Sequence, residues 1–306
     1  MRNAPVSERA PVGVFVGLAT LDVIHRIANP PAVNQKMTST AQFVAAGGPA
    51  ANAAVTFAGL GGDATLVTAL GDDPVADLIR ADLVAYGVTV VDAAAGTTRA
   101  VPVSAVSVIE TTGDRSVVSL DAVNSDASPP SDLRDLLSGA EVVLVDGHHP
   151  LIAHAAARHA AALGSTLVVD AGRWKPVMSD LVPYATDMVC SNDFRVPGTD
   201  GPESSAAALV RGGVRTVVTT HGGDPVQWWS GGESGSVPVE PVVVVDTLGA
   251  GDAFHGAYAY FSARTESGIT QRIERSAHVA ALRCSVVGPR AWLSELSHEQ
   301  TRKRQR

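Results

Sequence analysis

The sequence predicts an α/β fold in which a mainly parallel sheet is covered on both faces by helices. Short apolar runs rich in β-branched residues recur along the chain, and segments with helical spacing separate most of them. Strands that alternate with helices in this way favour parallel pairing with both sheet faces buried. Two further stretches alternate polar and apolar residues, which is typical of antiparallel strands.

Each predicted strand of the main sheet is a short apolar run. These runs are Val12–Leu18, Thr65–Leu70, Val142–Val145, Thr166–Val169, Met188–Cys190, Thr216–Thr219 and Val242–Val245. Each predicted helix repeats apolar residues at helical spacing. These helices are Ala50–Leu60, Val75–Tyr86, Leu151–Leu163, Ser204–Arg211, Ala253–Ala263 and Ile269–Val286. In one of them, Phe254, Tyr258 and Phe261 fall on a single apolar face.

The two alternating stretches predict a small antiparallel sheet beside the main one. They span about residues 34–43 and 99–120, and the second contains the turn pair Gly113-Asp114. A small sheet inserted into an α/β body is a candidate lid over a ligand crevice. We therefore expect one domain over residues 1–306, with these two lid segments inserted.

Composition excludes several classes of protein. With 23 basic and 31 acidic residues, the net charge of -8 gives no footprint for nucleic acid. No uninterrupted apolar stretch is long enough for a membrane span. Cys190 and Cys284 lie far apart with no ligand-like spacing, so neither a disulfide framework nor a zinc site is indicated. These features predict a reducing, cytoplasmic setting.

The strongest candidate for chemistry is the stretch Asp246–Gly256, DTLGAGDAFHG, which precedes a predicted helix. Gly249, Ala250 and Gly251 carry little or no side chain, so their backbone N–H groups can converge on an anion at the helix N-terminus. A carboxylate is a poor anion ligand, so Asp252 fits a general base for a hydroxyl that attacks a phosphoryl group. On these residues alone, a simple N-cap role for Asp252 stays open.

A second candidate site lies near the N-terminus, in AAGGPAANAA. The backbone of Gly47 and Gly48 and the side-chain amide of Asn52 make good ligands for hydroxyl groups. Asp22, after the first predicted strand, adds a carboxylate. Taken alone, the first segment could equally be an alanine-rich packing helix, and Asp22 a turn residue.

Together and in this order, Asp22, Gly47-Gly48-x3-Asn52 and the late motif ending at Asp252 resemble the ribokinase/PfkB-type carbohydrate kinases. The resemblance covers roughly Val12 to Leu293. It implies a ribokinase-like three-layer sandwich with a small β-sheet lid. It also implies an ATP- and Mg²⁺-dependent phosphotransfer to a sugar hydroxyl.

The resemblance also implies roles for individual residues. Asp252 would be the catalytic base, and the N–H groups of Gly249, Ala250, Gly251 and Asp252 an anion hole. The implied substrate ligands are Asp22, Gly47, Gly48, Asn52, Asn124 and the lid residue Arg115. For Arg115, an ordinary hairpin arginine remains the alternative.

On the nucleotide side, the resemblance places Thr220 and Gly222 near the phosphates or ribose and His278 near the adenine. An ordinary helix-face histidine is the alternative for His278. Residues that match a monovalent-cation (K⁺) site of relatives are Asp246, Thr247, Ser285 and Gly288.

The sequence departs from the family pattern at the Asn-x-x-Glu element linked to magnesium and phosphate. Here Asn192 is present, but Arg195 stands where glutamate is expected. Asp170, Arg173 and Lys175 follow a neighbouring strand and could supply a carboxylate for the Mg²⁺ shell and cations for the phosphates. Ordinary solvated turn charges are the alternative reading of these three residues.

The favoured function is an ATP-dependent kinase for an unphosphorylated sugar, ketose or pentose-like. A sugar phosphate would call for a basic cluster, and the lid segments offer only Lys36, Arg99 and Arg115. A nucleoside kinase of the same fold is one alternative, although the lid is poor in aromatic residues. A non-catalytic sugar- or nucleotide-sensing module is the other. The expected partners are the sugar and ATP, with a homodimer through the lid permitted by its apolar face.

Overall fold

A computed structural model describes residues 9–264 and 268–304, with side chains described as far as His298. The strands, numbered in chain order, are β1 (Val12–Val16), β2 (Thr20–Ile27), β3 (Ala41–Gly47), β4 (Asp63–Thr68), β5 (Val88–Asp92), β6 (Val103–Ile109), β7 (Arg115–Val118), β8 (Val142–Val145), β9 (Thr166–Ala171), β10 (Asp187–Ser191), β11 (Thr216–His221), β12 (Asp224–Ser230) and β13 (Glu233–Val237). The helices are α1 (Pro49–Gly59), α2 (Pro74–Ala85), α3 (Leu133–Leu137), α4 (Pro150–Leu163), α5 (Met178–Leu181), α6 (Pro202–Arg211), α7 (Ala250–Ser262), α8 (Ile269–Cys284) and α9 (Trp292–Arg304).

The main sheet contains nine of the described strands, in the order β13-β12-β11-β10-β9-β8-β1-β4-β5. Every pair from β11 to β5 is parallel, and only the hairpin strands β12 and β13 pair antiparallel at one edge. Because the strands run parallel, the loops after their carboxyl ends gather at one edge, where ligands of such sheets bind.

Helices cover both faces of the main sheet, so the predicted three-layer architecture is confirmed. Successive strand residues point to opposite faces. Phe15, Leu66 and Leu144 pack in one buried cluster with α1, α2, α7 and α8. Val14 and Val143 pack in the other cluster with α3, α4, α5 and α6. None of the described helices is long and apolar enough to cross a membrane.

A second, four-stranded sheet has the order β3-β2-β6-β7. The hairpin β6–β7 is antiparallel and turns at Gly113, as the sequence predicts. Strand β2 was not predicted from the sequence; it is one of the two inner strands of this sheet and pairs parallel to β6. Asp22 therefore lies inside β2, opposite Ala45 of β3, rather than in a turn after β1.

One predicted strand is wrong. Val242–Val245 forms no strand, and Val243 is 81% exposed. Pro238 and Pro241 lie between the end of β13 and this segment, and proline has no N–H to donate to the hydrogen bonds of a sheet. The segment instead runs along the end of α8, where Val245 N donates to the carbonyl of Cys284 at 2.9 Å. Asp246 thus follows an extended loop, not a strand end.

Candidate active site

Asp252 lies in the first turn of α7 and faces Asn52 of α1. Asn52 Nδ2 donates to Asp252 Oδ2 at 2.8 Å. The two helices approach closely because Gly256 has no side chain: a Cβ there would lie 2.3 Å from the carbonyl oxygen of Ala53. Residues 200 positions apart in the chain therefore share one hydrogen bond.

The environment of Asp252 favours its protonated form. Burial raises the pKa of this carboxyl to about 6, and the nearby charge of Asp170 acts in the same direction. The hydrogen bond from Asn52 and the charges of His255 and Arg115 oppose the increase. A carboxyl group whose pKa lies near neutrality is suited to accept and release a proton.

Asp170, Asp252 and His255 form a cluster between β9 and α7, in which Asp170 and His255 are buried and Asp252 is half-buried. One potential ligand atom from each lies within 4.8 Å of the others. His255 Nε2 lies 3.1 Å from the carbonyl oxygen of Val189, which can only accept, so Nε2 carries hydrogen. His255 Nδ1 lies 3.3 Å from Asp170 Oδ2 and has no hydrogen bond among the described residues.

The cluster has the donors that a divalent cation needs. Mg²⁺ in nucleotide sites is held by one or two carboxylates together with phosphate oxygens and water. Asp170 and Asp252 supply two carboxylates, and the unpartnered nitrogen of His255 marks the same space. The residues present therefore fit Mg²⁺, although Arg195 occupies the expected glutamate position. Arg195 itself donates to the carbonyls of Asn192 and Phe194 in its own loop.

A cradle of backbone N–H groups opens at the start of α7. Gly249 precedes the helix with φ of 72°, a left-handed conformation that favours glycine. The N–H groups of Gly249, Gly251 and Asp252 have no hydrogen-bond acceptor within the described chain. Ala250 N differs from the prediction, because it donates to the carbonyl of Thr247 at 3.3 Å. Three N–H groups thus stand free for an anion beside Asp252.

The predicted hydroxyl-binding residues lie next to this cradle. A small cleft is lined by Asp22, Asn52 and Gly249, among others. A Cβ on Gly47 would lie 2.1 Å from Asp22 Oδ2, and one on Gly48 would lie 2.4 Å from the carbonyl of Leu18. Both glycines are therefore required by close packing.

Arg290, which the sequence analysis missed, fixes the orientation of Asn52. Arg290 donates to Asn52 Oδ1 at 3.1 Å and to the carbonyl of Ala46 at 2.7 Å. Asp82 of α2 pairs with the same guanidinium at 2.9 Å. Because Arg290 can only donate, the Asn52 oxygen must face it, and the amide nitrogen must face Asp252.

The tip of the small sheet contacts the loop that leads into α7. We call this loop, residues 246–249, the catalytic loop. The carbonyl of Gly113 accepts from Thr247 N at 3.0 Å and from Thr247 Oγ1 at 2.8 Å. Arg115 donates to the same hydroxyl at 3.2 Å. A Cβ on Gly113 would lie 2.9 Å from Asp246 N, so the turn fits only as glycine.

The predicted nucleotide-side residues lie at the carboxyl ends of β10 and β11. Asn192 Oδ1 is 2.9 Å from His221 Nδ1, and Thr220 Oγ1 donates to the carbonyl of Cys190 at 3.4 Å. Gly222 follows in the turn to β12 with φ of 64°. None of the three hydrogen-bonds to Asp252 in the part of the chain that is described. His278 lies on α8, with its Nδ1 3.8 Å from Glu240.

Three other predicted residues are exposed or already engaged by the protein itself. Asn124 is exposed in the turn after β7. Arg173 pairs with Asp121, and Lys175 is 4% exposed with its Nζ donating to the carbonyl of Asp146 at 2.8 Å. Lys175 is therefore a buried side chain that connects two loops by a hydrogen bond, rather than a solvated turn charge.

The residues predicted to hold a monovalent cation are bound by the protein itself. The guanidinium of Arg283 pairs with the carboxylate of Asp246 at 3.3 Å. The hydroxyl of Thr247 donates to Gly113, and that of Ser285 donates to the carbonyl of Leu282 at 2.8 Å. Gly288 offers its N–H, not its carbonyl, to Asp246. This set does not fit a bound K⁺.

Comparison with known proteins is consistent with this geometry. A family model described as pfkB family carbohydrate kinase matches residues 14–295. An ATP-dependent ribose-1-phosphate kinase from Halopiger xanaduensis is 28% identical over 257 residues, which cover 79% of this chain and 81% of that protein. A ribokinase from Bacillus subtilis is 25% identical over 254 residues, which cover 80% of this chain and 83% of the ribokinase.

A solved structure of a relative shows the same fold. The ribokinase of Arabidopsis thaliana, complexed with ribose and ATP, superposes with a TM-score of 0.74 at 23% identity. The match covers 94% of this chain and 99% of that one. The fold class predicted from the sequence is thereby confirmed.

Proposed function

This chain belongs to the pfkB family of carbohydrate kinases, and on that premise we propose that it phosphorylates a hydroxyl of an unphosphorylated, ketose- or pentose-like sugar. It is an ATP-dependent sugar kinase, so the γ-phosphoryl group comes from ATP. One observation carries the catalytic assignment: Asp252, with its raised pKa, lies beside three free N–H groups at a helix N-terminus. Such a site combines a base with an anion cradle.

The sugar occupies the cleft beside Asp22 and Asn52, with its reacting hydroxyl toward Asp252. Asp252 accepts the proton of that hydroxyl as the oxygen attacks the γ-phosphorus. The N–H groups of Gly249, Gly251 and Asp252 donate to the transferring phosphoryl oxygens, where negative charge has to be stabilised. Asn52 keeps the carboxylate in place through its hydrogen bond. Gly47, Gly48, Asn124 and Arg115 complete the proposed contacts of the sugar.

Mg²⁺ would be held by Asp170, with Asp252 and His255 close by, and would neutralise phosphate charge when bound. Thr220, Gly222 and Asn192 at the ends of β10 and β11 would bind the ATP phosphates or ribose, with His278 toward the adenine. Asp170 thus supplies a carboxylate that the chain lacks at Arg195.

The proposal also covers the domain organisation, the cellular location and the assembly of the protein. The chain acts as one domain, with the segments at about 34–43 and 99–120 serving as a lid over the sugar. It works in the cytoplasm, where its ATP is available. The exposed apolar residues Val117 and Val118 of β7 support pairing of two lids in a homodimer.

A phosphorylated pentose is the second candidate acceptor. Its support is the name of the relative from Halopiger xanaduensis, a ribose-1-phosphate kinase. The acceptor screen therefore has to contain free and phosphorylated pentoses side by side.

The test is ADP formation from ATP with a panel of ketoses, pentoses, pentose phosphates and nucleosides. We expect turnover with at least one free sugar, and an Asp252→Asn variant with little turnover but intact sugar binding by calorimetry. Asp63→Asn is the matched control, because Asp63 is exposed at the opposite, amino end of the parallel strands.

Each other outcome identifies a different error. Turnover only with a phosphorylated pentose would favour the second candidate, and turnover only with nucleosides would favour a nucleoside kinase. Sugar binding without any turnover would favour a sensing module. Near wild-type turnover by the Asp252→Asn protein would contradict the base assignment.

A further inference from the structure

The carboxylate of Asp246 is fully engaged at the start of the catalytic loop. Oδ1 accepts from Leu248 N at 3.0 Å, and Oδ2 accepts from Gly288 N at 3.1 Å. Oδ2 also lies 3.3 Å from the guanidinium of Arg283. The side chains of Arg283 and Asp246 are only 3% and 2% exposed, so water contributes little to this arrangement.

Arg283 also takes the backbone oxygens around this carboxylate. Its Nη1 donates to the carbonyl of Val286 at 3.1 Å and lies 3.5 Å from the carbonyl of Asp246. Arg283 belongs to the last turn of α8, where unpaired helix carbonyls favour a positive charge. One carboxylate and two carbonyls therefore converge on a single buried cation, and that cation is part of the chain.

We propose that the Arg283 guanidinium takes the place of the monovalent cation predicted for this loop, so that phosphoryl transfer by this enzyme does not require K⁺. The proposal rests on the proposed kinase function, because it concerns the loop that ends at Gly249 and leads into the helix turn of Asp252. The guanidinium places a single positive charge against the carboxylate and carbonyl of Asp246, where a monovalent metal ion would place the same charge. The guanidinium differs in being permanently present and always protonated.

A second cation at this position would face strong opposition. The oxygens of Asp246 already accept from two backbone N–H groups and pair with Arg283, so a bound ion would have to compete with these partners. An ion beside Arg283 would also place two positive charges together in a site with little water to screen them.

The pairing acts on catalysis through the loop geometry. Asp246 anchors the N–H of Leu248, and Leu248 immediately precedes Gly249, where the anion cradle begins. Arg283 holds Asp246 from the far side, so the cradle is organised before any ligand binds. Arg283 acts on the cradle through Asp246 and is therefore a positioning residue, and its side chain also lines the cleft beside Asp22 and Asn52.

The decisive experiment uses the wild-type protein and two readouts. Turnover is measured at constant ionic strength in tetramethylammonium chloride and in KCl, NH₄Cl or RbCl at about 100 mM. We expect kcat and KM to change by less than about twofold between these salts. Crystals soaked in RbCl are examined by anomalous diffraction, and we expect no rubidium peak within about 4 Å of the Asp246 oxygens. The diffraction readout needs no turnover, so it tests the cation site even if the kinase assignment fails.

An Arg283→Ala variant provides the converse test, with Arg275→Ala on the exposed face of the same helix as the control. Without its guanidinium, the loop should lose at least about tenfold in kcat in tetramethylammonium salt. Part of that loss should return with K⁺, NH₄⁺ or free guanidinium, together with a rise in Tm. Arg275→Ala should behave as wild type in every salt.

Two results would overturn the proposal. One is an activation of the wild-type enzyme by K⁺ of about fivefold or more, accompanied by a rubidium peak at Asp246. The other is an Arg283→Ala protein that is folded and equally active without any of the added cations. If Arg283→Ala does not fold, the wild-type salt series and the diffraction experiment still decide the question.

Discussion

Asp246, in the loop before α7, and Asp252, in the first turn of that helix, lie in opposite environments. Asp246 accepts from two backbone N–H groups and pairs with a buried guanidinium. Asp252 receives one side-chain hydrogen bond, from Asn52, and lies close to another carboxylate, Asp170. Its pKa is raised to about 6 by burial and by the charge of Asp170.

The difference separates a structural carboxylate from a reactive one. A buried charge that is fully paired stabilises one geometry of the chain, and removing its partner is costly. A buried charge that is left underpaired has a perturbed pKa and costs stability, which is tolerated where chemistry needs the proton transfer. The following predictions test whether the two carboxylates differ in this way.

The largest expected effect is on turnover. Asp252→Asn keeps the shape of the side chain and an acceptor for Asn52, but it removes the base, so kcat should fall by about 10²- to 10⁴-fold. Steady-state kinetics with the best sugar from the screen measures the loss. Its Tm should not fall, because a strained carboxylate has been neutralised; a clear drop in Tm would mean that Asp252 is structural.

The corresponding change at the other carboxylate should act on stability. Asp246→Asn leaves the buried Arg283 charge unpaired, so the free energy of unfolding should fall by about 3–5 kcal/mol. Urea unfolding followed by fluorescence measures this loss. Adding Arg283→Met to Asp246→Asn removes the orphaned charge and should recover part of the stability. If Asp246→Asn were as stable as the wild type, the pairing would carry little energy.

The pKa of Asp252 predicts the pH dependence. The base must be unprotonated, so kcat/KM should fall about tenfold per pH unit below about 6. Asp170→Asn removes the neighbouring negative charge and should move this acidic limb to lower pH. The same pKa shift affects the free energy of unfolding, because the pKa of Asp252 in the folded state lies above the unfolded value of 3.8. The stabilising contribution of protonated Asp252 is fully present below pH 3.8 and is lost as pH rises through about 6. If the acidic limb does not move in Asp170→Asn, the charge of Asp170 does not raise the pKa of Asp252.

The smallest effect should follow from releasing Asn52, the side chain that donates a hydrogen bond to Asp252, from its contact with Arg290. Arg290→Met releases the amide of Asn52, and the loss of about one hydrogen bond should lower kcat/KM by about fivefold. Arg80→Met is the control, because Arg80 lies on the same helix as Asp82 and forms comparable pairs with Asp77 of that helix and with Asp92 of β5. Equal losses in both variants would indicate a general effect of removing an arginine pair.

Most of the fold could be predicted because its physical basis is local. Runs such as Val142–Val145 are apolar on both faces, as buried parallel strands must be, and α1 and α4 repeat apolar residues at helical spacing. Val242–Val245 has the same composition but lies beyond the sheet edge, where the neighbouring prolines and the end of α8 decide its path. Composition alone does not report whether a partner strand exists.

The candidate site could be predicted only where the sequence motif itself carries the chemistry. Asp252 and its glycines were identifiable through their combination with Asp22 and Gly47-Gly48-x3-Asn52, because alone they also fit a helix N-cap and a tight turn. Arg290 and Asp82 lie 208 positions apart and look like ordinary surface charges in sequence. Arg283 lies near the end of a helix that otherwise buries apolar and small residues, and it gave no local sign that its charge would be buried beside Asp246. Such pairs are created by the packing of distant elements.

The turn at Gly113 has a consequence for where the chain tolerates change. Surface hairpin turns usually accept inserted residues, and the Gly231-Gly232 turn is of that kind, since no described atom lies within 4 Å of a Cβ added to either glycine. Gly113 belongs to a hairpin of the same sort, yet it is seated against Asp246 and Thr247. Tags, fusions or a new chain terminus therefore belong at Gly231-Gly232, while the Gly113 turn has to keep its length.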